Sequence, residues 1–396
     1  MTSLVIDNIG QLVTCSPEYG EGPLGVVRDA ALVLEDSQVL ALERAGAEAD
    51  ERLDAGGRCV IPGFVDSHTH LIFAGERGEE FAARMAGAPY AAGGIRETVS
   101  KTRDASSQEL QGLAWLRRRE SLRAGITHLE IKSGYALDVD GEARLCDLAS
   151  RLTDDVTFLG AHVVPAEYEG RADEYVDLVC GAMLEACRPH ARWVDVFCEE
   201  GAFDEDQSRR VLEAGRAAGL GLRVHGNQLG FGPGVQLAVE TGAASVDHCT
   251  YLSDDDVEAL AGSETVATFL PATDFSTRQP YPDARRVIDA GAQVAVATNC
   301  NPGSSYTTSM SFCIALAVRD MRMTAEEALL AATRGGAAAL RRSDVGHLSP
   351  GARSDAVVLA APSYSHLVYR PGVPLIAATV AESQLVWSDS ELLGPE

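Results

Sequence analysis

Between residues 60 and 343 the chain alternates short apolar runs with amphipathic stretches, and this alternation restricts the fold more than any other feature. Eight runs read as strands: 60–70, 126–132, 156–162, 193–199, 221–225, 244–248, 266–270 and 294–299. The stretches between them carry helix-start signals, such as Ser106-x-x-Glu109, Ser253-x-x-Asp256 and Thr324-x-x-Glu327, in which a hydroxyl and a carboxyl cap the first turn reciprocally. Eight strands alternating with helices predict a (β/α)8 barrel of the TIM type over 61–343. The competing open doubly wound sheet calls for a G-x-G-x-x-G after the first strand, and none is present there. Residues 1–60 and 344–396 hold short β runs between turn signals, too few in either piece to close a core. They are expected to combine into one smaller β-sandwich domain.

The strand runs end on residues capable of chemistry: His68 and His70, Lys132 and Tyr135, His162, Glu199, His225 and Gln228, His248, and Asn299. In a barrel these tips surround the mouth where active sites form. Six of the nine histidines lie at or just before such tips, counting His128, which sits inside its run and is set aside. Alternate residues of a strand share a face, so His68 and His70 can reach one metal ion together. A catalytic centre needs three or four protein ligands and an open position. His225 supplies a third nitrogen, and Asn299 stands where a carboxylate is expected to bind metal and take a proton from water. His162 and His248 are either ligands of a second ion or hydrogen-bonding groups that polarise a substrate carbonyl. The second reading is preferred.

A formal charge of −25 argues against nucleic acid and anionic membranes as partners. A small anionic substrate therefore needs a locally placed Arg. The nine cysteines are scattered without a C-x-x-C pair, which excludes a disulfide framework or thiolate zinc site and suits a reducing cytoplasm. No run approaches the 18 or so apolar residues of a membrane span.

Several motifs resemble those of the imidazolonepropionases, a branch of the metal-dependent amidohydrolases that opens the imidazolone ring in histidine breakdown. They are the run from Pro62 to Arg77, Gly93-Gly94-Ile95, Lys132-Ser133-Gly134-Tyr135, Phe158-Leu159-Gly160-Ala161-His162, Asp195-Val196-Phe197-Cys198-Glu199 and Asn301-Pro302-Gly303-Ser304. The resemblance implies one Zn2+ (or Fe3+) per chain, held by His68, His70, His225 and Asn299. It implies substrate contacts from Arg77, Tyr135, His162, Gln228, Asn301, Gly303 and Ser304, with His248 beside the reacting carbonyl. Arg77 fits on independent grounds, since a guanidinium fork recognises a propionate bidentately. The catalytic group implied is His248, Gln228 and Asn299, in a homodimer. Two positions depart from the family pattern: Gln228 where Glu is common, and Asn299 where Asp is expected. Both keep the shape and remove a charge, and an amide cannot act as a base near neutral pH. The alternatives left open are an amidohydrolase or deaminase for another small heterocycle, and a catalytically impaired homologue.

Overall fold

The computed structural model describes residues 3–44, 48–87 and 94–393; Gly93 of the Gly93-Gly94-Ile95 motif lies outside the described residues. The chain divides into two compact units, one of Met1–Asp66, Arg119–His128 and Ser309–Glu396, the other of Ser67–Arg118 and Leu129–Thr308.

The first unit is built on strands β1 (Leu4–Val13), β2 (Val26–Glu35), β3 (Gln38–Arg44), β4 (Glu51–Asp54), β5 (Cys59–Pro62), β6 (Phe64–Asp66) and β7 (Ile126–Leu129). Near the C-terminus come β15 (Ala356–Leu359), β16 (Ile376–Ala381) and β17 (Gln384–Ser388). One mixed sheet runs β17-β16-β15-β5-β1-β2-β3, with β4 also on β1, while β6 and β7 pair separately. Residues of β1 alternate between faces: Leu4 and Ile6 enter one buried cluster with Leu32, Val60 and Val358, and Val5 enters another with Ala31 and Val33. The β2–β3 turn puts Asp36 and Ser37 at φ 49° and 62°, the conformation that follows the right-handed twist of the strands it joins. Residues from the two ends of the chain meet where β5 and β15 pair antiparallel, Val60 opposite Val358.

In the second unit seven strands lie in sequential order, every neighbouring pair parallel: β8 (Ile131–Lys132), β9 (Val156–Ala161), β10 (Trp193–Cys198), β11 (Gly221–Gly226), β12 (Ser245–His248), β13 (Val266–Phe269) and β14 (Val294–Val296). Helices connect them, among them Val139–Ser150, Glu205–Ala217 and Asp254–Ala261. This is a TIM-like arrangement of parallel strands with helical crossovers. Thr69 forms a parallel bridge with Cys300 beyond β14, and its carbonyl accepts the Lys132 amide at 2.8 Å. Residues 68–70 thus lie between the two ends of the seven-stranded sheet. The Ser253 and Thr324 signals both form reciprocal capping boxes, and Ser106 Oγ accepts the Glu109 amide.

Three of the sequence runs end differently from the strands they predict. The run 60–70 is not one strand: Pro62, which has no amide hydrogen, closes β5, and β6 stops at Asp66. The run 126–132 breaks at Glu130, whose carbonyl turns to the Thr69 hydroxyl at 2.6 Å. The last run leaves strand geometry after Val296, and Asn299 takes a left-handed φ of 53°.

Candidate active site

The ends of the parallel strands surround one cleft with about 490 Å³ of empty space. Ten of the twelve residues implied as ligands, substrate contacts or catalytic groups line it: His70, Arg77, Tyr135, His162, His225, Gln228, His248, Asn299, Asn301 and Ser304. The other two adjoin it, His68 buried against His70 and Gly303 within the Asn301–Ser304 turn. His128 lies in β7 of the first unit, 3.3 Å from the Arg353 guanidinium, and has no place in this site.

The cleft floor is a cluster of imidazoles. His68 Nε2 and His70 Nε2 face each other at 3.3 Å, and the His68 and His225 rings lie 4.5 Å apart. One ring nitrogen from each of His68, His225 and His248 falls within 4.8 Å of the others. Two of these rings have a carboxylate behind them, whereas His70 Nδ1 and His248 Nδ1 are buried without a hydrogen-bond partner. His68 Nδ1 meets Asp247 Oδ2 at 2.7 Å, and His225 Nδ1 lies 3.0 Å from Asp195 Oδ2. A carboxylate behind an imidazole fixes its tautomer and leaves the other nitrogen as a lone pair for a metal.

Whether these residues suit an ion is decided by their unpartnered atoms. His225 Nε2, His248 Nδ1 and Asn299 Oδ1 are all buried without a hydrogen-bond partner, which would be costly unless a ligand completes them. Asn299 is aimed by two bonds, its main-chain amide to the His68 carbonyl at 3.0 Å and its Nδ2 to Thr273 Oγ1 at 2.8 Å. That leaves the carboxamide oxygen for the centre. Burial holds the His68, His70 and His248 rings well below the ordinary imidazole pKa, so they present lone pairs at neutral pH. The donor set of imidazole nitrogens and one oxygen suits zinc or iron.

His162 differs from its neighbours. Its Nδ1 sits 2.9 Å from the Gly134 carbonyl, and burial pushes its pKa down to about 3. A carbonyl only accepts, so Nδ1 carries the hydrogen and Nε2 the lone pair. In this tautomer His162 accepts an N–H and cannot donate to a carbonyl oxygen. Gly134 approaches at a φ of 101°, and a Cβ there would lie 3.0 Å from both His162 Nδ1 and the Leu159 carbonyl. The backbone at His248 is also unusual: His248 and Cys249 take φ values of 86° and 53° in succession. Such positions in non-glycine residues cost about 1–3 kcal/mol each and cluster at functional sites.

At the other end of the cleft Arg77 gives Nε and Nη2 to the Glu80 carboxylate, both at 2.7 Å. Its Nη1 passes over Gly303, where a Cβ would come within 2.2 Å, so only glycine admits the guanidinium there. Asn301 builds the turn itself: Oδ1 accepts the Gly303 and Ser304 amides at 2.8 and 2.9 Å, and Nδ2 donates to the Asn299 carbonyl at 2.7 Å. Gln228 is placed by Glu199, whose Oε2 accepts the Gln228 and Leu229 amides at 2.8 and 3.1 Å.

The model of the amidohydrolase family matches residues 59–385. The imidazolonepropionase of Mycolicibacterium smegmatis is 61% identical over 394 residues, covering 99% of this chain and 100% of its own length. That of Salinispora arenicola is 63% identical, covering 95% and 97%. The chain belongs to the amidohydrolase family, in its imidazolonepropionase branch.

Solved structures of other proteins share the fold at low identity. A zinc-complexed mutant of the atrazine chlorohydrolase of Arthrobacter aurescens superposes with a TM-score of 0.75 at 17% identity, covering 98% of each chain. A guanine deaminase from C. acetobutylicum with bound guanine gives 0.70 at 12%, covering 98% of this chain and 100% of that one. Sequence reasoning on this imidazolonepropionase-like chain missed Asp195, Asp247, Glu130 and Arg223, all fully buried around the histidines. The available signal was a charged residue inside an apolar strand run. It missed Glu142 too, whose carboxylate takes the Gly134, Ala136 and Leu137 amides at 2.8 Å each and so shapes the Tyr135 loop. Ile95 and Phe197, which wall the cleft with Val163, entered only as members of family-like motifs and without a role, and Val163 carried no signal.

Proposed function

We propose that this chain hydrolyses 4-imidazolone-5-propanoate to N-formimidoyl-L-glutamate, a ring-opening step of histidine degradation. The observation that carries this reading is one cleft with a guanidinium at one end and a converging set of unpartnered imidazole nitrogens at the other. Relatives about 60% identical over nearly the whole chain bear the name of that activity. Water adds to the lactam carbonyl, the bond from that carbon to the ring nitrogen breaks, and the nitrogen leaves with a proton.

The residues divide the work by chemistry. Arg77, with Tyr135 and the Asn301-Pro302-Gly303-Ser304 turn, holds the propionate end. His162, as a neutral acceptor at Nε2, takes a ring N–H and orients the heterocycle. His248 stabilises the oxyanion that forms on the carbonyl, and Gln228 hydrogen-bonds the substrate beside it. His68, His70, His225 and Asn299 would hold one ion, Zn2+ or Fe3+. A bound ion supplies Lewis acidity and makes water nucleophilic near neutral pH. The wider reading is a (β/α)8 barrel over 61–343, supported by the bridging position of Thr69, and a β-sandwich domain from 1–60 and 344–396, supported by the β5–β15 pairing. It includes a reducing cytoplasm, supported by nine free cysteines, and a homodimer as the family resemblance implies; no helix among the described residues is long and apolar enough to cross a membrane.

The direct test is turnover of imidazolone propionate by freshly purified protein, with elemental analysis of the same sample. Formation of N-formimidoyl-glutamate in proportion to bound metal is the expected result. Turnover of other small heterocycles alone would assign the site to a different amidohydrolase reaction.

Asn299 sharpens the expectation. Its oxygen is available as a ligand but cannot take a proton, which must go instead to His248, a base weakened by burial, or to bulk water. General-base assistance is worth about 10²–10⁴-fold, so Asn299→Asp should raise kcat within that range and leave KM nearly unchanged. It should also tighten metal retention. A wild-type rate equal to that of Asn299→Asp at matched metal loading would show that another group already accepts the proton.

A further inference from the structure

Lys132 lies at the head of the Lys132-Ser133-Gly134-Tyr135 motif and is fully buried, yet nothing in the reaction described above uses it. Its Nζ donates to Asp195 Oδ2 at 2.8 Å and to Glu130 Oε1 at 2.8 Å, and lies 3.6 Å from Asp247 Oδ2. The two aspartate oxygens it reaches are the same atoms that stand behind the histidines: Asp195 Oδ2 at 3.0 Å from His225 Nδ1, and Asp247 Oδ2 at 2.7 Å from His68 Nδ1. We propose that Lys132 is a positioning residue for the metal centre, one ammonium bridging the two carboxylate oxygens that aim the His68 and His225 imidazoles. The inference rests on the reading of those two histidines as ligands.

The two aspartates depend on Lys132 unequally. Asp247 is also held by Arg223 Nη2 at 3.2 Å and by the Ser245 hydroxyl at 2.7 Å. Asp195 has the Val196 amide on Oδ1 at 2.7 Å, and Lys132 on the oxygen that faces the histidine. Loss of Lys132 therefore frees chiefly the Asp195–His225 arm. Glu130 ties the same ammonium to the chain between His68 and His70, because its Oε2 accepts the Thr69 amide at 3.1 Å. One lysine thus links elements that carry three of the four proposed ligands.

A buried ammonium near a bound cation also repels it, so the sign of the effect separates two roles. A lysine serving only as a counter-charge to the carboxylates predicts tighter metal binding once it is removed. A lysine that orients predicts weaker binding, because partners of metal-binding histidines are typically worth 10–100-fold in affinity.

The experiment is a Zn2+ competition titration against a chromophoric chelator, on wild type, Lys132→Met, Asp195→Asn, Asp247→Asn and the two double variants with Lys132→Met. Visible spectra of the Co2+-loaded forms are read alongside. Lys132→Met should weaken Zn2+ binding roughly tenfold and alter the Co2+ bands. Its effect should largely vanish in the Asp195→Asn background and persist in the Asp247→Asn background, the non-additivity expected of groups acting through one contact. Lys132→Met/Glu130→Gln, which removes one charge of each sign, guards against misfolding and should show the same loss. Unchanged or tighter Zn2+ binding in both Lys132 variants overturns the proposal. His225→Ala serves as the control: wild-type Zn2+ affinity there would overturn the ligand reading itself, whatever the lysine variants do.

Discussion

A protein in which His68 and His70 are both replaced by alanine is expected to emerge from purification without its metal, and with kcat/KM lower by on the order of 10⁴-fold. The size follows from losing several kcal/mol of charge stabilisation together with an activated water, at 1.36 kcal/mol per factor of ten. The fold should survive, for two reasons visible in the bonding. Asp247, which would lose His68, keeps Arg223 and Ser245. Residues 68–70 are tied by main-chain bonds that alanine retains, from Asn299 to the His68 carbonyl, from Lys132 to the Thr69 carbonyl and from His70 to the Cys300 carbonyl. Far-ultraviolet circular dichroism should therefore match a chelator-treated wild type, while elemental analysis falls to background. Metal content equal to wild type in a folded double variant would place the ion elsewhere.

Arg77→Met should weaken binding of propionate-bearing ligands by about 2–5 kcal/mol, the usual cost of truncating one partner of a buried charge pair. That is roughly 30- to 4,000-fold in Kd or KM. The upper part of the range is favoured by Glu80. In wild type its carboxylate is occupied by the Arg77 fork; once Arg77 is gone it is left as an uncompensated negative charge near the cleft, which disfavours an anionic substrate. Binding of an imidazolone lacking the propionate should change only a few-fold, and Arg77→Met/Glu80→Gln should recover part of the loss for the anionic ligand. Calorimetric titration with the two ligands gives the comparison. Equal losses for both would make Arg77 a structural residue that packs over Gly303.

The parts of this site that could be read from sequence are those tied to strand ends. His68, His70, His162, His225 and His248 announced themselves because each closes an apolar run, and the order of the runs carries over to the order of strands β8–β14. The capping residues Ser253 and Thr324 were equally local. What stayed hidden depends on pairs from different strands. Asp195 and Asp247 are single charges inside runs whose apolar neighbours dominate, and their meaning appears only when Lys132, two strands from Asp195, is brought within 2.8 Å. The tautomer of His162 was equally out of reach, being set by the carbonyl of Gly134, 28 residues away. The break of the first run at Pro62 was visible as a proline. Its consequence, that β5 joins the terminal sheet, required β15 to be in place.

That last pairing governs the order in which the protein can be made. Among the described residues the antiparallel partner of Val60 is Val358, so β5 leaves the ribosome with one edge open and keeps it open while almost 300 further residues are synthesised. At about 5–20 residues per second this interval is on the order of 15–60 s. During it the meander of β1, β2 and β3 can form from neighbouring residues, but β5, one short strand before His68 and His70, lacks its β15 partner. Folding of the terminal sheet is therefore bound to be slow and late, as expected where contacts join distant parts of a chain. In the interval the exposed edge of β5 is the place where a second nascent copy could pair wrongly.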